Sequence, residues 1–327
     1  MNISSIFAGA GGMDYGFEQA GFNIVWANEY DKVIWDTYKF NHPNTYLDTR
    51  SIKDVPSTDI PDNIDGIIGG PPCQSWSLAG AMKGIEDDRG KLFFEYLRIL
   101  RDKQPKFFVA ENVPGIVSRA HIDSFMNIKR LFADCGYNVS HQTLNANDFG
   151  VPQERKRVFL VGYRNDLNLV FDFNRLLPNE YKPNLRDAIG DLDDAIPALD
   201  KNKSNGELVI ANHEYFIGSF SSMYMSRNRR KRWEQPSFTI QAGGRHAPLH
   251  PNSCEMEKVE KDIWKFTNDN YRRLSVRECA RIQTFPDGFI FKYSALADAY
   301  KMIGNAVPTR LAQAVATQIR EDLLNLR

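Results

Sequence analysis

The feature that most narrows the fold of this chain is an alternation of strand-sized apolar runs with helical segments through its first half. Residues 3–7 read as a strand, a glycine cluster follows, and residues 13–20 show helical spacing of apolar side chains. Residues 22–27 read as the next strand, with 65–68, 106–110, 137–144 and 157–163 as further ones. Between them, 90–102 and 121–135 repeat the helical spacing. Strands separated by helices are joined by crossovers, so the expected fold class is α/β with a largely parallel sheet. Past Asn165 prolines, asparagines and short mixed runs take over as far as about residue 271, as in a smaller, loop-rich unit. Helical periodicity returns at 275–283 and at 312–326. Two domains are expected: 1–165 together with 273–327, and 166–272.

Composition excludes more than it selects. Lysine plus arginine and aspartate plus glutamate each number 41, so any contact with a polyanion must come from local charge. Apolar runs such as Phe107-Phe108-Val109-Ala110 are too short to span a bilayer, and no leader pattern opens the chain. The four cysteines (Cys73, Cys135, Cys254, Cys279) form no CxxC pair, so neither a metal site nor a disulfide framework is expected. A reducing, cytoplasmic setting fits.

In an α/β sheet the loops leaving the C-terminal strand ends form the ligand crevice, and three such loops carry candidate chemistry. The first is Phe7-Ala8-Gly9-Ala10-Gly11-Gly12, whose glycines permit tight backbone turns and close approach of a ligand. A dinucleotide loop would need glycine at position 14, where Asp14 stands, which weakens a nicotinamide-dependent dehydrogenase reading. Glu29 ends the second strand, where a carboxylate is able to accept hydrogen bonds from a ribose. The second loop, Gly69-Gly70-Pro71-Pro72-Cys73-Gln74-Ser75, holds a cysteine on a stiff double-proline backbone. A buried, inert thiol is the alternative there, and it accounts for neither prolines nor glycines. The third, Ala110-Glu111-Asn112-Val113-Pro114, sets Glu111 on the same sheet edge. Further on, alternation in Gln153-Glu154-Arg155-Lys156-Arg157 puts Gln153, Arg155 and Arg157 on one side, suited to phosphate or a base carbonyl. Residues 77–91, with Gly80, Gly84 and Gly90 among mixed charges, read as a surface loop. Arg227, Arg229, Arg230, Lys231 and Arg232 concentrate charge in the loop-rich unit, with Arg245 after it.

In this order the motifs resemble the cytosine-5 DNA methyltransferase family through nearly the whole chain. Arg273-Leu274-Ser275-Val276-Arg277-Glu278-Cys279, Gln283-Thr284-Phe285-Pro286 and Gly304-Asn305-Ala306-Val307-Pro308 complete the set. The resemblance implies a Rossmann-like methyltransferase domain that uses S-adenosylmethionine, yields S-adenosylhomocysteine and needs no metal, plus a DNA-recognition domain. It implies catalytic roles for Cys73, Glu111, Gln153, Arg155 and Arg157. It assigns the methyl donor to Phe7, Gly9, Gly11, Gly12, Glu29, Asp48, Pro71, Leu92, Asn305 and Ala306, and packs the 304–308 motif beside the glycine loop. The departures are Leu47-Asp48 for Gly-Asp, Thr284 for glycine and Ala306 for serine.

Cys73 is then expected to add to carbon 6 of a cytosine flipped out of double-stranded DNA, with Glu111 assisting at N3. The stretches His213-Glu214-Tyr215-Phe216, Met225-Ser226-Arg227-Asn228-Arg229 and Leu249-His250-Pro251 resemble the GGCC-methylating branch of bacterial modification enzymes. On that likeness Arg227, Arg229 and Arg245 are expected to read guanine. A stand-alone prokaryotic modification enzyme is expected, monomeric, with a restriction endonuclease sharing its site. The alternatives are an RNA cytosine-5 methyltransferase and a catalytically silent DNA-binding regulator.

Overall fold

The computed structural model describes residues 1–72 and 88–326, and only the backbone of 88–90. The strands are β1 (Asn2–Ile6), β2 (Asn23–Asn28), β3 (Tyr46–Asp48), β4 (Gly66–Gly69), β5 (Phe107–Asn112), β6 (Tyr137–Asn145) and β7 (Lys156–Arg164). They form one sheet in the order β3-β2-β1-β4-β5-β7-β6. The first five pair in parallel, and β7 runs antiparallel to both β5 and β6. The order turns back at β1, which pairs with β2 on one side and β4 on the other. A crevice opens beyond the carboxyl ends of strands at such a turning point.

Four long helices cover the two faces. On one lie α1 (Gly12–Gln19) and, from the far end of the chain, α8 (Thr309–Leu324). On the other lie α3 (Asp88–Lys103) and α4 (Ile122–Ala133), while the short α2 (Trp35–Asn41) leads into β3. Strand residues alternate between the two layers. Ile68, Phe107 and Val109 pack with Phe17, Leu311 and Val315, whereas Ile67, Phe108 and Ala110 pack with Phe93, Leu97 and Phe132. Both faces are buried, which explains why the strands read as unbroken apolar runs.

The rest of the chain comprises α5 (Leu185–Ile189), β8 (Ile196–Pro197), β9 (Glu214–Tyr215), the hairpin β10 (Met256–Glu260) and β11 (Ile263–Phe266), then α6 (Val276–Ile282) and α7 (Leu296–Asn305). Tyr224, Leu249 and Met256 centre a small separate cluster with Phe220, Trp264 and Phe266 around them. By contrast Phe171 and Phe173 belong to the main core, so the chain just beyond the expected boundary at 165/166 still packs with the first unit. Helix α7 was not foreseen, because Gly304 and Asn305 at its end are poor helix formers. Strand β3 is too short to show a period.

Helices α1 and α8 touch at Gly16. A Cβ added there would lie 2.5 Å from the Thr309 carbonyl oxygen and 2.6 Å from the Ala312 Cβ. Alanine normally stabilises a helix interior relative to glycine. At this position it forces the two helices apart, and Gly16→Ala is expected to cost about 1–3 kcal/mol. Urea denaturation with an unchanged slope and a lowered midpoint would show this. A midpoint at or above that of the parent would mean that the contact has slack.

Candidate active site

The β1–α1 loop takes its shape from left-handed backbone. Phe7, Gly9 and Gly11 have φ of 58°, 57° and 87°. A Cβ on Gly11 would meet the His42 ring at 2.1 Å, and one on Gly12 would lie 2.7 Å from the Val307 carbonyl oxygen. The 304–308 motif therefore lies against the glycine loop, and only glycine fits at the contact. Glu29 follows β2 directly, and its carboxylate accepts the Gly9 amide at 2.9 Å and the Asp31 amide at 2.7 Å. Burial nonetheless holds its pKa above the ordinary carboxylate value.

A cavity of about 280 Å³ opens over this loop. Of the residues expected to hold the methyl donor, Phe7, Gly9, Gly12, Glu29, Asn305 and Ala306 line it. Gly11, Asp48, Pro71 and Leu92 are not among its described lining residues. Gly11 is covered by His42. Asp48 is taken by Arg50, whose Nη2 lies 2.5 Å from Oδ2 and keeps the carboxyl below its usual range despite burial. The Pro71 carbonyl accepts Asn112 Nδ2 at 2.9 Å, and Leu92 packs against the core on the α3 side.

The cavity also brings in residues that the sequence did not single out. Asp31 and Lys301 face it and pair at 2.5 Å, joining the β2 end to α7. Asp14 sits at its base with a fully buried carboxylate that accepts Ser5 Oγ at 2.7 Å and the Tyr38 hydroxyl at 2.5 Å. The only sequence signal for Asp31 was its closeness to Glu29, and Lys301 gave none because α7 was unrecognised.

Glu111 lines the same cavity from the end of β5, as do Gly69 and Gly70 from the end of β4. Across the antiparallel β5–β7 pair, Arg157 Nε donates to Glu111 Oε1 at 2.8 Å, with both side chains 12–13% exposed. Burial raises the Glu111 pKa, and the nearby Arg157 and Arg155 charges only partly oppose it. Cys73 and residues 77–87 of the loop expected at 77–91 lie outside the described residues, and residues 88–91 belong to α3. Among the described residues no cluster of three or more His, Cys, Asp or Glu could hold a metal ion.

Gln153 and Arg155, grouped with Arg157 by alternation, are committed elsewhere. Arg155 is fully buried and donates to three backbone carbonyls: Ile240 at 2.9 Å, Gly304 at 2.7 Å and Ala306 at 2.9 Å. Gln153, also buried, accepts the Ile240 amide at 2.8 Å and donates to Gln283 Oε1 at 2.9 Å. Neither lines the cavity. Burial does alternate as expected, Gln153, Arg155 and Arg157 turning inward and Glu154 and Lys156 outward. Regular strand nevertheless begins only at Lys156, and among the described residues Arg157 is the one of the three that pairs with Glu111. The hydrogen bonds of Gln153 and Arg155 tie the segment around 240 to the wall of the cavity over the glycine loop.

The charge cluster is divided in a similar way. Arg229 is 8% exposed, and it donates to the carbonyls of Tyr224 and Met223, both at 2.8 Å, while lying 4.8 Å over the Tyr224 ring. That arginine braces its own loop through Nε and Nη2 while still lining the neighbouring cavity. Arg230 and Arg232 approach Glu255, and Lys231 approaches Glu154. Arg227 and Arg245 are exposed and make no side-chain hydrogen bond or ion pair among the described residues.

The profile of a family described as C-5 cytosine-specific DNA methylase matches residues 1–321. The chain is 56% identical to "Type II methyltransferase M.MthTI" of Methanothermobacter thermautotrophicus, over 99% of this chain and 98% of the relative. It is 53% identical to "Type II methyltransferase M.FnuDI" of Fusobacterium nucleatum, over 99% and 95%. Among solved structures it is similar to a putative DNA modification methyltransferase encoded within an Escherichia coli prophage, with a TM-score of 0.75, 23% identity and 99% of both chains covered. The S. pombe Dnmt2 methyltransferase has a TM-score of 0.68 at 19% identity, over 100% of this chain and 99% of that one. At such identities these two likenesses speak for the fold.

Two outcomes follow from this geometry. Lysine cannot reach three carbonyls at once, so Arg155→Lys should lose about 2–4 kcal/mol in urea denaturation, since buried carbonyls are left unpaired; parent-like stability would refute the tie. For Glu111, a raised folded-state pKa means that the protonated form contributes stability below the unfolded-state pKa, and that this is lost as pH rises through the folded value. The stability of Glu111→Gln relative to the parent should therefore climb with pH from about 4.3 upward and then level off. A difference that stays flat with pH would mean Glu111 is not shifted.

Proposed function

The chain belongs to the C-5 cytosine-specific DNA methylases, and from that premise we propose that it methylates a cytosine in a short duplex site, probed first as GGCC, by covalent catalysis from Cys73. The observation that carries this reading is the shared cavity. Glu111 and the glycine loop open on the same space, and the β4 glycines lining it lead in sequence to Pro71-Pro72-Cys73.

S-adenosylmethionine fits the residues present, and when bound it supplies an electrophilic sulfonium methyl group. The glycine loop and the 304–308 motif give a cradle free of side chains where a Cβ would collide, and the Glu29 carboxylate suits a ribose diol. Phe7, Gly9, Gly12, Asn305 and Ala306 would hold the rest.

The protein's own groups carry the remaining chemistry. The Cys73 thiolate forms a bond to carbon 6 of the cytosine, while the Glu111 carboxyl donates its hydrogen bond, or its proton, at N3 and takes up the charge that develops there. Carbon 5 thereby becomes an enamine carbon able to accept the methyl group. After methylation, which would leave the donor as its neutral thioether, the carbon-5 proton passes to solvent, and its bonding electrons re-form the 5,6 double bond and expel the thiolate. Arg157 fixes the orientation of Glu111 through their ion pair. A base in a duplex stack cannot reach such a cavity, so the target is flipped out, at a cost of a few kcal/mol.

Relatives named Type II methyltransferases at more than half identity favour modification of DNA, paired with an endonuclease of the same specificity, over RNA methylation or binding alone. A monomer working in the cytoplasm of a prokaryotic cell fits this role. Among the described residues no helix is long and apolar enough to cross a membrane. Arg227, Arg229 and Arg245 are the candidates for reading guanine.

Bisulfite sequencing of DNA from cells expressing the protein should return methylated cytosine in one short motif, and Cys73→Ser should abolish it. Duplexes carrying 5-fluorocytosine should become covalently trapped on the parent protein in the presence of the methyl donor. Continued turnover by Cys73→Ser would remove the covalent mechanism, and preferential labelling of tRNA over duplex DNA would change the substrate.

A further inference from the structure

Arg229 is braced by carbonyls, and its neighbours add further polar groups to the same surface. A cavity of about 240 Å³ opens between 227–229 and 238–248, walled by Arg227, Arg229, Phe238, Thr239, Gln241 and His246. We propose that Gln241 and His246 are specificity-determining residues that read base edges of the target duplex together with Arg227. This rests on the reading above that the segment contacts DNA.

The chemistry of the wall suits a base edge better than a phosphate. Arg227 presents a guanidinium with no hydrogen-bond or ion-pair partner among the described residues, which matches the O6 and N7 acceptors of guanine. Gln241 adds a donor and an acceptor on one rigid amide, and the His246 ring adds one of each in its neutral form. Neither side chain is hydrogen-bonded among the described residues, Gln241 being exposed and His246 half-buried. A phosphate clamp needs positive charge alone, whereas mixed donors and acceptors can reject a base whose pattern is wrong.

Placement strengthens the case, because a reader must be held still. The backbone before Gln241 is fixed on both sides: Gln153 holds the Ile240 amide and Arg155 holds its carbonyl. A Cβ added to Gly304 would lie 2.3 Å from both the Gln241 carbonyl carbon and the Ala242 nitrogen, so α7 bears directly on this turn. His246 closes a short turn by donating its amide to the Gly243 carbonyl at 3.0 Å. Gly244 within that turn packs so closely on Phe216 and Tyr300 that an added Cβ would lie 2.5 Å and 2.9 Å from their rings. Two polar side chains without a hydrogen-bond partner among the described residues thus project from clamped backbone.

The test begins with the parent protein and a random duplex library, sequenced after methylation to define its preferred site. Fluorescence anisotropy then compares binding to that site, and to duplexes with one base pair replaced, for parent, Gln241→Ala and His246→Ala. Each variant is expected to lose about tenfold in discrimination at one position. Affinity for unrelated duplex, and its salt dependence, should stay within about twofold of the parent. Thermal unfolding of both variants should match the parent, since neither side chain holds the fold. An equal loss on all duplexes would make these backbone contacts, and no loss at any position would leave them idle; either result overturns the proposal. A preferred site other than GGCC would remove only that specificity from the reading above, while Gln241 and His246 are judged on whichever site emerges. If no duplex is preferred, both ideas fall.

Discussion

The Arg155 guanidinium is the point through which the separate parts of this molecule are joined. It is buried without a carboxylate partner among the described residues, and its charge is met by the carbonyls of Ile240, Gly304 and Ala306. Burial and the neighbouring Arg157 push its pKa down to about 9, which still leaves it charged at neutral pH. Breaking such an arrangement would strand a charge and several carbonyls, so it is costly to rearrange. Ile240 belongs to the segment proposed to read DNA, while Gly304 and Ala306 belong to the helix end beside the cavity over the glycine loop. One side chain thus fixes the distance between the surface that would select a sequence and the space in which a methyl group would move.

That joint matters because the sheet alone positions only half of the site. The carboxyl ends of β1, β2, β4 and β5 bring the glycine loop, Glu29, Gly69 and Glu111 to one edge, as the turning point in strand order dictates. The other wall comes from residues nearly 200 positions further on, through α7 and the turn after it. Helix α8 then returns to pack on α1 through Gly16, which secures this second wall against the first. The close contacts at Gly12, Gly16 and Gly304 are all places where the late part of the chain meets another segment with no room for a side chain.

What the sequence disclosed follows from the range of each interaction. Local features were readable: the loop from Phe7 to Gly12, Glu29 at its strand end, and the apolar runs that became β1, β4, β5 and β7. Long-range commitments were not. Nothing near Arg155 in sequence announces the carbonyls of Ile240 or Gly304, and nothing near Arg229 distinguishes it from Arg227. Asp48 carries its explanation two residues away in Arg50, yet a carboxylate at a strand end looks the same whether it awaits a ligand or already has a cation. Thr284 is a subtler case. It keeps the left-handed backbone, at φ 64°, that glycine would adopt without strain. Its hydroxyl bonds to the Gln283 carbonyl at 2.6 Å and accepts the Arg310 amide at 3.1 Å, so the departure from glycine is held by local hydrogen bonds.

The pairing of Glu111 with Arg157 shows why two opposed influences are useful on one carboxyl. Burial alone would keep the group protonated and leave its rotation free, whereas a cation in open solvent would keep it ionised. Here desolvation outweighs the arginines, so the proton is held more readily than in water, while the 2.8 Å contact from Arg157 fixes one oxygen. The other oxygen, Oε2, lies on the side of Gly70, 3.4 Å from where a Cβ on that residue would be. A carboxyl restrained at one oxygen can offer its proton in only a narrow range of directions. The group is then suited to a flat heterocycle entering from the β4 side, and poorly suited to a ligand approaching past Arg157.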